Sequence, residues 1–472
     1  MSAFSGLSTA LSSLIAQRQA LEVAGQNVAN ANTKGYTRQR VEMTSVQALS
    51  APSMFSAQVG AGTGVKVTGI TRIGDIYLDA RLRAETATAS YTRARADALA
   101  RLETTLTEPS DTGLAATLDT FWASWQDVAN NPGDNAARKV LLGAAQNAAT
   151  QIADGHRAVD TQWTQARADA DTLVTEVNTT ADAVAHLNER IRSVLVSGGS
   201  ANELMDQRDQ LVTTLSGLVG AQARVRDDGT VDVMVGGNAL VRGVESHHLA
   251  VTGSRLMQEG IDPAGDPVRL VWQGAGTPVA LDGGRLAASL ETLATTADGG
   301  ILARAAERWD AIAQTLADTV NGVHRTAATT TGATGIDFFA FGAGTSPARG
   351  LTVAVTADQV AAGAVGSGVY DGSKADEISR LASAPGGADA LWRDFVVDQG
   401  VRTRSAAQRA SVTEASRSTA ENLQLASASV DLDEETVSML AYQRAYEGAA
   451  RVMTAIDEML DVLINRTGVV GR

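Results

Sequence analysis

The chain of 472 residues has no cysteine, few aromatic residues and an excess of negative charge. Without Cys it has no disulfide, thiolate metal site, cysteine nucleophile or iron–sulfur cluster. Its 53 acidic residues outnumber 39 basic ones, and the net charge is −14. This disfavours general nucleic-acid binding, because phosphate contacts need clustered Lys and Arg. No apolar run reaches the length of a membrane span, so no membrane insertion is expected. The N-terminus also lacks the basic region and apolar core of a cleaved signal peptide.

Three long stretches contain neither Gly nor Pro and predict long helices, at 75–108, 156–197 and 401–447. In the second stretch, an apolar heptad seam runs through 159, 163, 166, 170, 173, 177, 180, 184, 187, 191 and 194. A helix of about 40 residues with such a seam is roughly 60 Å long and typically packs in an antiparallel bundle or coiled coil.

The periodicity changes to two residues near Ala221. Val231, Val233 and Val235 alternate with other residues after the turn sequence Asp227-Asp228-Gly229, which predicts a hairpin. The predicted fold is mainly α with a β-rich insertion: a long antiparallel helical bundle, N- and C-terminal helices paired as a coiled coil, and a small outer β domain. The predicted domains are a terminal coiled-coil core (1–50 plus 425–472), a helical bundle (51–220 plus 281–328 and 373–424), a β-rich outer domain (221–280), and a Gly/Thr-rich segment of loop and short strands (329–372).

Each end of the chain carries its own apolar heptad. The N-terminal one contains Phe4, Leu7, Leu11, Leu14, Leu21 and Val28, and the C-terminal one contains Met439, Tyr442, Tyr446, Ala449, Met453, Ile456, Leu460 and Leu463. Periodicity alone leaves two interpretations open: the stripes bury each other within one chain, or they pack against other subunits. Binding to an anionic membrane surface is disfavoured by the many acidic residues of the C-terminal helix.

The residues that usually carry chemistry form no recognisable site. The five His residues have no metal-ligand spacing, and no nucleophile elbow or phosphate-binding loop occurs. Glu203, Asp206 and Asp209 share a helical face, and the plainer interpretation is a solvated first helical turn. No catalytic residue, cofactor or metal is therefore predicted.

The segment from Asn27 to Gln39 is rich in Asn and Gly and should end the first helix, because both residues tolerate a left-handed backbone. It resembles the N-terminal motif of bacterial flagellar axial proteins, Ala-Asn-x-x-Thr-Pro-Gly-Tyr, with Lys34 in place of Pro. The segments 430–435 and 442–451 are similar to the C-terminal motif of those proteins. Within this group, the chain is most similar to the family of the first hook–filament junction protein, hook-associated protein 1. The similarity lies in Thr37-Arg38-Gln39, in Ala445-Tyr446 and in Ala449-Ala450-Arg451.

This resemblance implies a structural, non-catalytic protein of the bacterial flagellum. Such a protein forms the junction between hook and filament and allows filament assembly. The implied partners are copies of itself in a ring, the hook protein, the second hook–filament junction protein and an export chaperone at the C-terminal helix. The implied location is extracellular, after export through the flagellar type III apparatus without a cleaved signal peptide. The terminal helices are expected to be disordered in the free monomer and to pair in the axial structure.

The heptads and the motifs together predict the assembly interface. It comprises Phe4, Leu7, Leu11, Leu14, Leu21, Val28, Asn30, Thr33, Gly35, Tyr36, Arg38 and Gln39 at the N-terminal end, and Met439, Tyr442, Gln443, Tyr446, Ala449, Met453, Ile456, Leu460 and Leu463 at the C-terminal end. The alternatives are another axial protein (hook or distal rod), or an extracellular enzyme or adhesin carried by the β insertion. An enzyme would need a nucleophile or acid/base motif, and an adhesin would need a Sec signal or an anchor.

Overall fold

The computed structural model describes residues 3–47 and 62–466, with side chains from residue 6 to residue 464. The helices are α1 (Ala3–Asn30), α2 (Ile76–Thr104), α3 (Leu114–Asn130), α4 (Asn135–Val196), α5 (Asn202–Val219), α6 (Met257–Gly260), α7 (Gly284–Leu293), α8 (Ile301–His324), α9 (Pro347–Gly350), α10 (Ser373–Ser379), α11 (Ala388–Ala428) and α12 (Leu432–Asp461). Short 3₁₀ turns occur at Ala357–Gln359 and Arg380–Ser383, and a π turn, Val462–Arg466, follows α12.

The strands are short and antiparallel. They are β1 (Gln39–Ser45), β2 (Val65–Arg72), β3 (Gln222–Val225), β4 (Val231–Val235), β5 (Asn238–Arg242), β6 (Glu245–Ser246), β7 (Leu249–Thr252), β8 (Arg269–Trp272), β9 (Ala327–Ala328), β10 (Phe339–Phe341), β11 (Leu351–Val353) and β12 (Gly363–Ala364). β3 to β6 form one sheet in sequence order, and the pairs β1–β2, β7–β8, β9–β12 and β10–β11 form two-stranded sheets. The fold is therefore mainly α with small β elements, as predicted.

The central helix α4 is longer than the sequence indicated. It has 62 residues, about 93 Å at 1.5 Å per residue, and begins at an Asp134 cap rather than after Gly155. α4 continues through Gly155, where a Cβ would overlap the indole of Trp309, so this glycine makes room for the indole and does not end the helix. The predicted heptad seam is buried throughout except at Thr180 and Val194, which are half-buried.

The sequence indicated one helix over the Gly- and Pro-free run 401–447. In the structure this run divides between α11 and α12. The break at Ser429 and Val430 is followed by an N-terminal cap, since the Asp431 carboxylate accepts the N–H groups of Asp433 (2.9 Å) and Glu434 (3.2 Å). A side-chain cap can thus start a new helix without a helix-breaking residue.

We refer to α2–α5, α7, α8, α10 and α11 with their connecting strands as the body. Its core is one continuous cluster that contains Phe121, Trp125, Trp163 and Phe338. The β-rich segment shares this core and lies along α4, where Asn188 donates to Val231 O (2.8 Å) and Asn178 donates to Leu249 O (2.9 Å). The strands are too short to enclose a core of their own, so they use the apolar side of the long helix. None of the helices in the described part of the chain combines the length and apolar content of a membrane span.

Candidate assembly site at the two ends of the chain

α1 and α12 pack side by side as an antiparallel pair, which we call the terminal coil. The start of α1 lies at the end of α12, where a Cβ on Gly6 would stand 3.0 Å from the Ile456 side chain. The buried side chains of α1 are small: Ala10, Ala16, Ala20, Val23 and Ala24. They are covered by α12 and by the β1–β2 hairpin, since α1 packs on both, and the small side chains let these neighbours approach its backbone closely.

The larger apolar residues of the predicted α1 heptad are only partly covered. Leu11 and Val28 are 50% and 38% exposed, and Leu7, Leu14 and Leu21 are half-buried. The Phe4 side chain lies outside the described residues. The packing of α1 within the chain therefore leaves at least Leu11 and Val28 uncovered.

The α12 heptad does face α1. Ala449 and Ile456 are buried, whereas Met439, Tyr442, Met453 and Leu460 are half-buried. Gln443, Tyr446 and Leu463 are exposed. Two helices cannot cover all of these side chains, because each helix has apolar residues on more than the side that meets its partner.

A large apolar surface therefore remains open on the terminal coil. Side chains that are between 38% and 76% exposed include Leu11, Ile15 and Val28 on α1, and Leu432, Val437, Leu440, Tyr446, Val452, Met459 and Ile464 on α12 and its final turn. Exposed apolar side chains in this number on one helix pair are characteristic of a region that binds other subunits rather than of a free protein surface.

The Asn-rich motif after α1 forms a hydrogen-bonded turn. Asn27 donates to Gln39 O (2.9 Å), and its Oδ1 accepts the Gln39 N–H (3.0 Å) and the Tyr36 hydroxyl (2.9 Å). Burial, with nearby Glu203, Asp206 and Glu435, raises the pKa of Tyr36 to about 12, so its hydroxyl stays protonated and donates. The Tyr36 N–H donates to Thr33 O (3.1 Å), so this turn closes with Lys34 where the related motif has Pro.

The other motif residues complete this turn. The Thr33 hydroxyl donates to Asn30 Oδ1 (3.2 Å), and Gly35 has φ +79°, a left-handed conformation that favours glycine. Gln210 of α5 donates to Lys34 O (2.8 Å) directly against Gly35, where a Cβ would overlap the Gln210 amide.

Arg38 joins the two chain segments that connect the terminal coil to the body. Its guanidinium donates to Glu435 Oε1 (2.6 Å) and to Glu434 Oε2 (2.7 Å), and its backbone N–H donates to Ala428 O (2.9 Å). The Glu435 side chain is 4% exposed and that of Glu434 is 63% exposed. The buried contact is therefore the Arg38–Glu435 ion pair, which we call the Arg38 clamp.

An acidic group on α5 holds the motif from the opposite side. Asp206 accepts the Thr37 N–H (3.0 Å) and Arg72 Nη1 (2.9 Å), and Asp209 also accepts Arg72 Nη1 (2.9 Å). Glu203 accepts the Gln39 side-chain amide (3.1 Å). The interpretation of these acids as a solvated helical turn is wrong for Asp206, which is buried. Burial raises its pKa, although the Thr37 N–H and Arg72 counteract this.

The sequence did not indicate that α5 binds the N-terminal motif. The available signal was the shared helical face of Glu203, Asp206 and Asp209, which was interpreted as a solvated turn. Asn202, at the start of α5, was missed as well. Its amide donates to Gln39 Oε1 (3.0 Å) and Ile70 O (3.0 Å). Across the described residues, no three His, Asp or Glu side chains are grouped in a way that could hold a metal ion.

Comparison with known families divides the chain in the same way as the structure. Residues 99–339, within the body, match the model of the helical domain of flagellar hook-associated protein FlgK. Residues 7–37 match a flagellar basal body rod protein model, and residues 424–466 match the C-terminal model of the basal body rod FlgEFG proteins. The rod-type models thus cover the terminal coil, whereas the body matches the hook-associated model.

Individual relatives agree with this assignment. Flagellar hook-associated protein 1 of Bacillus subtilis is 31% identical over an alignment of 510 residues that covers all of both chains. The protein of that name from Escherichia coli is 31% identical over 71% of this chain and 60% of its own length. The solved structure of the flagellar hook junction protein FlgK from Burkholderia pseudomallei covers 74% of this chain and 100% of that chain, with a TM-score of 0.64 and 16% identity, and shows the likeness of fold. The chain therefore belongs to the flagellar hook-associated protein 1 family, and it is a structural component of the flagellum rather than an enzyme.

Proposed function

We propose that the chain forms a ring layer at the hook–filament junction, built through its terminal coil. The observation that carries this proposal is the apolar surface that α1 and α12 leave open after pairing with each other. Covering a half-exposed Leu, Val or Ile contributes about 1 kcal/mol, so ten such residues offer roughly 10 kcal/mol per subunit before the entropy of association is subtracted. This apolar contribution is of the same order as the cost of association, so it favours packing of neighbouring terminal coils.

The partners follow from this position in the flagellum. The ring would have the hook protein on one side and the second junction protein on the other, and its own copies would meet through unlike patches. The residues of the two heptads, together with Gln443, would form this interface. The motif residues Asn30, Thr33, Gly35, Tyr36, Arg38 and Gln39 would fix the angle of the terminal coil relative to the body, since their bonds stay within the chain.

The same surface explains the need for protection before assembly. Exposed apolar residues on α12 fit helix-in-groove recognition by an export chaperone. Export through the flagellar type III apparatus, without cleavage of a signal peptide, would deliver the chain to the extracellular end of the hook.

Incorporation onto isolated hooks that lack this protein tests the proposal. Leu440→Asp places a charge on the open side of α12, where Leu440 is 50% exposed, and should abolish incorporation while the melting temperature stays near that of the wild type. Val140→Asp is the matched control, because Val140 is an apolar residue of similar exposure, 60%, that lies on α4 of the body and not on the terminal coil. Equal incorporation of Leu440→Asp and the wild type would contradict the proposal.

Truncation after Ser429 gives an independent test. Loss of α12 should leave a folded body, because the body core contains no residue of α12, and should abolish incorporation. Unfolding of the whole chain would show instead that the terminal coil is part of the folded core.

A further inference from the structure

α11 carries a nearly uncharged stripe along the side that faces away from the body. The helix buries Trp392, Phe395, Ala406 and Ala410 against its neighbours. On the opposite side, exposed residues follow one another at intervals of four, three and four positions, and this pattern repeats every 11 residues. We call these positions the α11 stripe: Val397, Val401, Arg404, Gln408, Val412, Ala415, Thr419, Leu423 and Ala426. An 11-residue repeat stays close to parallel with the helix axis, so the stripe is straight over about 44 Å.

The composition of the α11 stripe is unusual for a solvent-facing surface. Arg404 is its one charged residue, in a chain with a net charge of −14. Val397, Val401 and Val412 are 59%, 63% and 59% exposed. Valine is a weak helix former, so three exposed valines disfavour the helix without any gain from burial in the free chain. Burial against a partner supplies that gain.

α4 presents a second uncharged surface elsewhere on the body. We call it the α4 face, and it consists of the exposed residues Thr161, Gln165, Ala168, Thr172, Thr175 and Thr179. Its Thr hydroxyls donate to the carbonyl four residues earlier, at 2.9 Å for Thr161, 3.2 Å for Thr172, 3.0 Å for Thr175 and 2.9 Å for Thr179. Since these hydroxyls are satisfied within the helix, the face can pack through its methyl groups against an apolar surface without leaving an unpaired polar group.

The two surfaces begin at the same height along α2 but lie on two helices that share only α8 as a main neighbour. Gln162 of α4 donates to Ala98 O (3.2 Å), and Gln399 of α11 donates to Leu99 O (3.0 Å), the next residue of α2. α11 packs on α2 and α8, whereas α4 packs on α3, α5, α7 and α8. A contact that repeats around an axis needs two unlike patches on one subunit, at matching heights.

The charges beside the α4 face complement Arg404. A groove of about 330 Å³ runs between α2, α4 and α7 next to Thr172, and its lining includes Asp97, Asp169 and Glu176 along with Arg101 and Arg285. Two copies of a chain with this net negative charge repel each other over most of their surfaces. Nearly uncharged surfaces are therefore the places where two copies can approach closely.

We propose that the α11 stripe of one copy packs against the α4 face of the next copy, forming the lateral contact between bodies in the ring. This inference rests on the proposed function, that the chain assembles as a ring, and it adds a second contact to that of the terminal coil. The stripe also leads directly into α12, so one continuous side of the molecule would face the neighbour.

Charge placed on either surface tests the contact. Val401→Glu/Val412→Glu on the α11 stripe and Thr172→Glu/Thr175→Glu on the α4 face should each keep the wild-type melting curve, because all four residues are exposed. Each should reduce incorporation onto isolated hooks by about tenfold or more, since carboxylates would be buried unpaired. Val140→Glu is the matched control, because Val140 is 60% exposed on α4 but lies outside both surfaces, and it should incorporate like the wild type.

A photo-crosslinking residue at position 412 of the full chain, in assembled flagella, identifies the neighbour. Crosslinked dimers whose second peptide falls within 158–182 would support the contact. Crosslinks to a different flagellar protein, crosslinks to another part of a second copy, or normal incorporation of Val401→Glu/Val412→Glu would overturn it. Failure of the wild type itself to incorporate would overturn the proposed function, and this inference with it, whereas the other outcomes leave the proposed function intact.

Discussion

Replacing Arg38 by Ala should loosen the start of α12 while the body stays folded. The substitution removes the guanidinium that donates to Glu435 at 2.6 Å and leaves a carboxylate whose side chain is 4% exposed without its counter-charge. Removing one partner of a fully buried ion pair typically costs about 3–5 kcal/mol. Because the Arg38 side chain is 23% exposed, water can partly solvate the vacated site, and we expect about 2–3 kcal/mol.

Comparison with neighbouring substitutions isolates the buried contact. Glu434 also accepts from Arg38, but its side chain is 63% exposed, so Glu434→Ala should cost about 0.5 kcal/mol or less. Glu435→Gln removes the buried charge while preserving shape and an acceptor oxygen, so combining it with Arg38→Ala should cost less than Arg38→Ala alone. The Arg38 N–H to Ala428 bond persists in every variant, because it belongs to the backbone.

Hydrogen exchange of the amides at 432–442 measures this effect locally. A loss of 2–3 kcal/mol corresponds to roughly 30- to 150-fold faster exchange, whereas amides in α4 should be unaffected. The reasoning would be refuted if Arg38→Ala left exchange at 432–442 unchanged, or if Glu434→Ala had an equal effect. Unprotected amides at 432–442 in the wild-type monomer would show that the Arg38 clamp closes only on assembly.

Three further predictions address the turn, the core and the terminal coil. Gly35→Ala should lower the free energy of unfolding by about 1–2 kcal/mol, because φ is +79° and Gln210 occupies the position that a Cβ would take. Gly25→Ala should raise it by about 0.5–1 kcal/mol, because Gly25 lies inside α1 with open space at its Cβ position. Denaturant unfolding monitored by a probe on α1 should show these opposite signs, and equal signs would contradict the argument. His324 is buried, its Nε2 accepts the Ala361 N–H (2.9 Å), and its Nδ1 lies 2.7 Å from Ile336 O. Burial lowers the pKa of His324 in the folded chain. The stabilising contribution of His324 is therefore present above about pH 6.5, the pKa of an unfolded His, and is lost as the pH falls towards the lower folded pKa. Melting temperatures between pH 5 and 8 should therefore fall less steeply on acidification for His324→Gln than for the wild type, and parallel slopes would exclude this role. Leu460→Asp should weaken both chaperone binding and incorporation, because Leu460 lies half-buried on the α12 heptad. Unchanged chaperone affinity in calorimetry would contradict the first effect. Unchanged incorporation onto hooks would contradict the second effect.

The long helices and their buried seams follow from local sequence, and this part of the fold was predictable. The heptad through Val159, Trp163 and Ile191 gives one apolar side to a helix whatever its neighbours are. The family also follows from local sequence, since its motifs are short segments at the two ends. Helix ends were less predictable, because a glycine can lie inside a helix, as Gly155 does beside the Trp309 indole, and because Asp431 can start α12 without any Gly or Pro.

The tertiary structure decided what the motif residues do. Thr37, Arg38 and Gln39 are adjacent in sequence, yet they bind Asp206, Glu435 and Glu203, which lie more than 160 residues away. No local pattern can show such partners, because a buried charge is stabilised by whichever opposite charge the fold brings within reach. In the same way, the sequence identified an apolar stripe on α1, but the fold buries Ala16 and Ala20 between α1 and its neighbours, and Leu11 and Val28 remain exposed. Periodicity determines that a helix has an apolar side, whereas the shapes of both partners determine which side is buried.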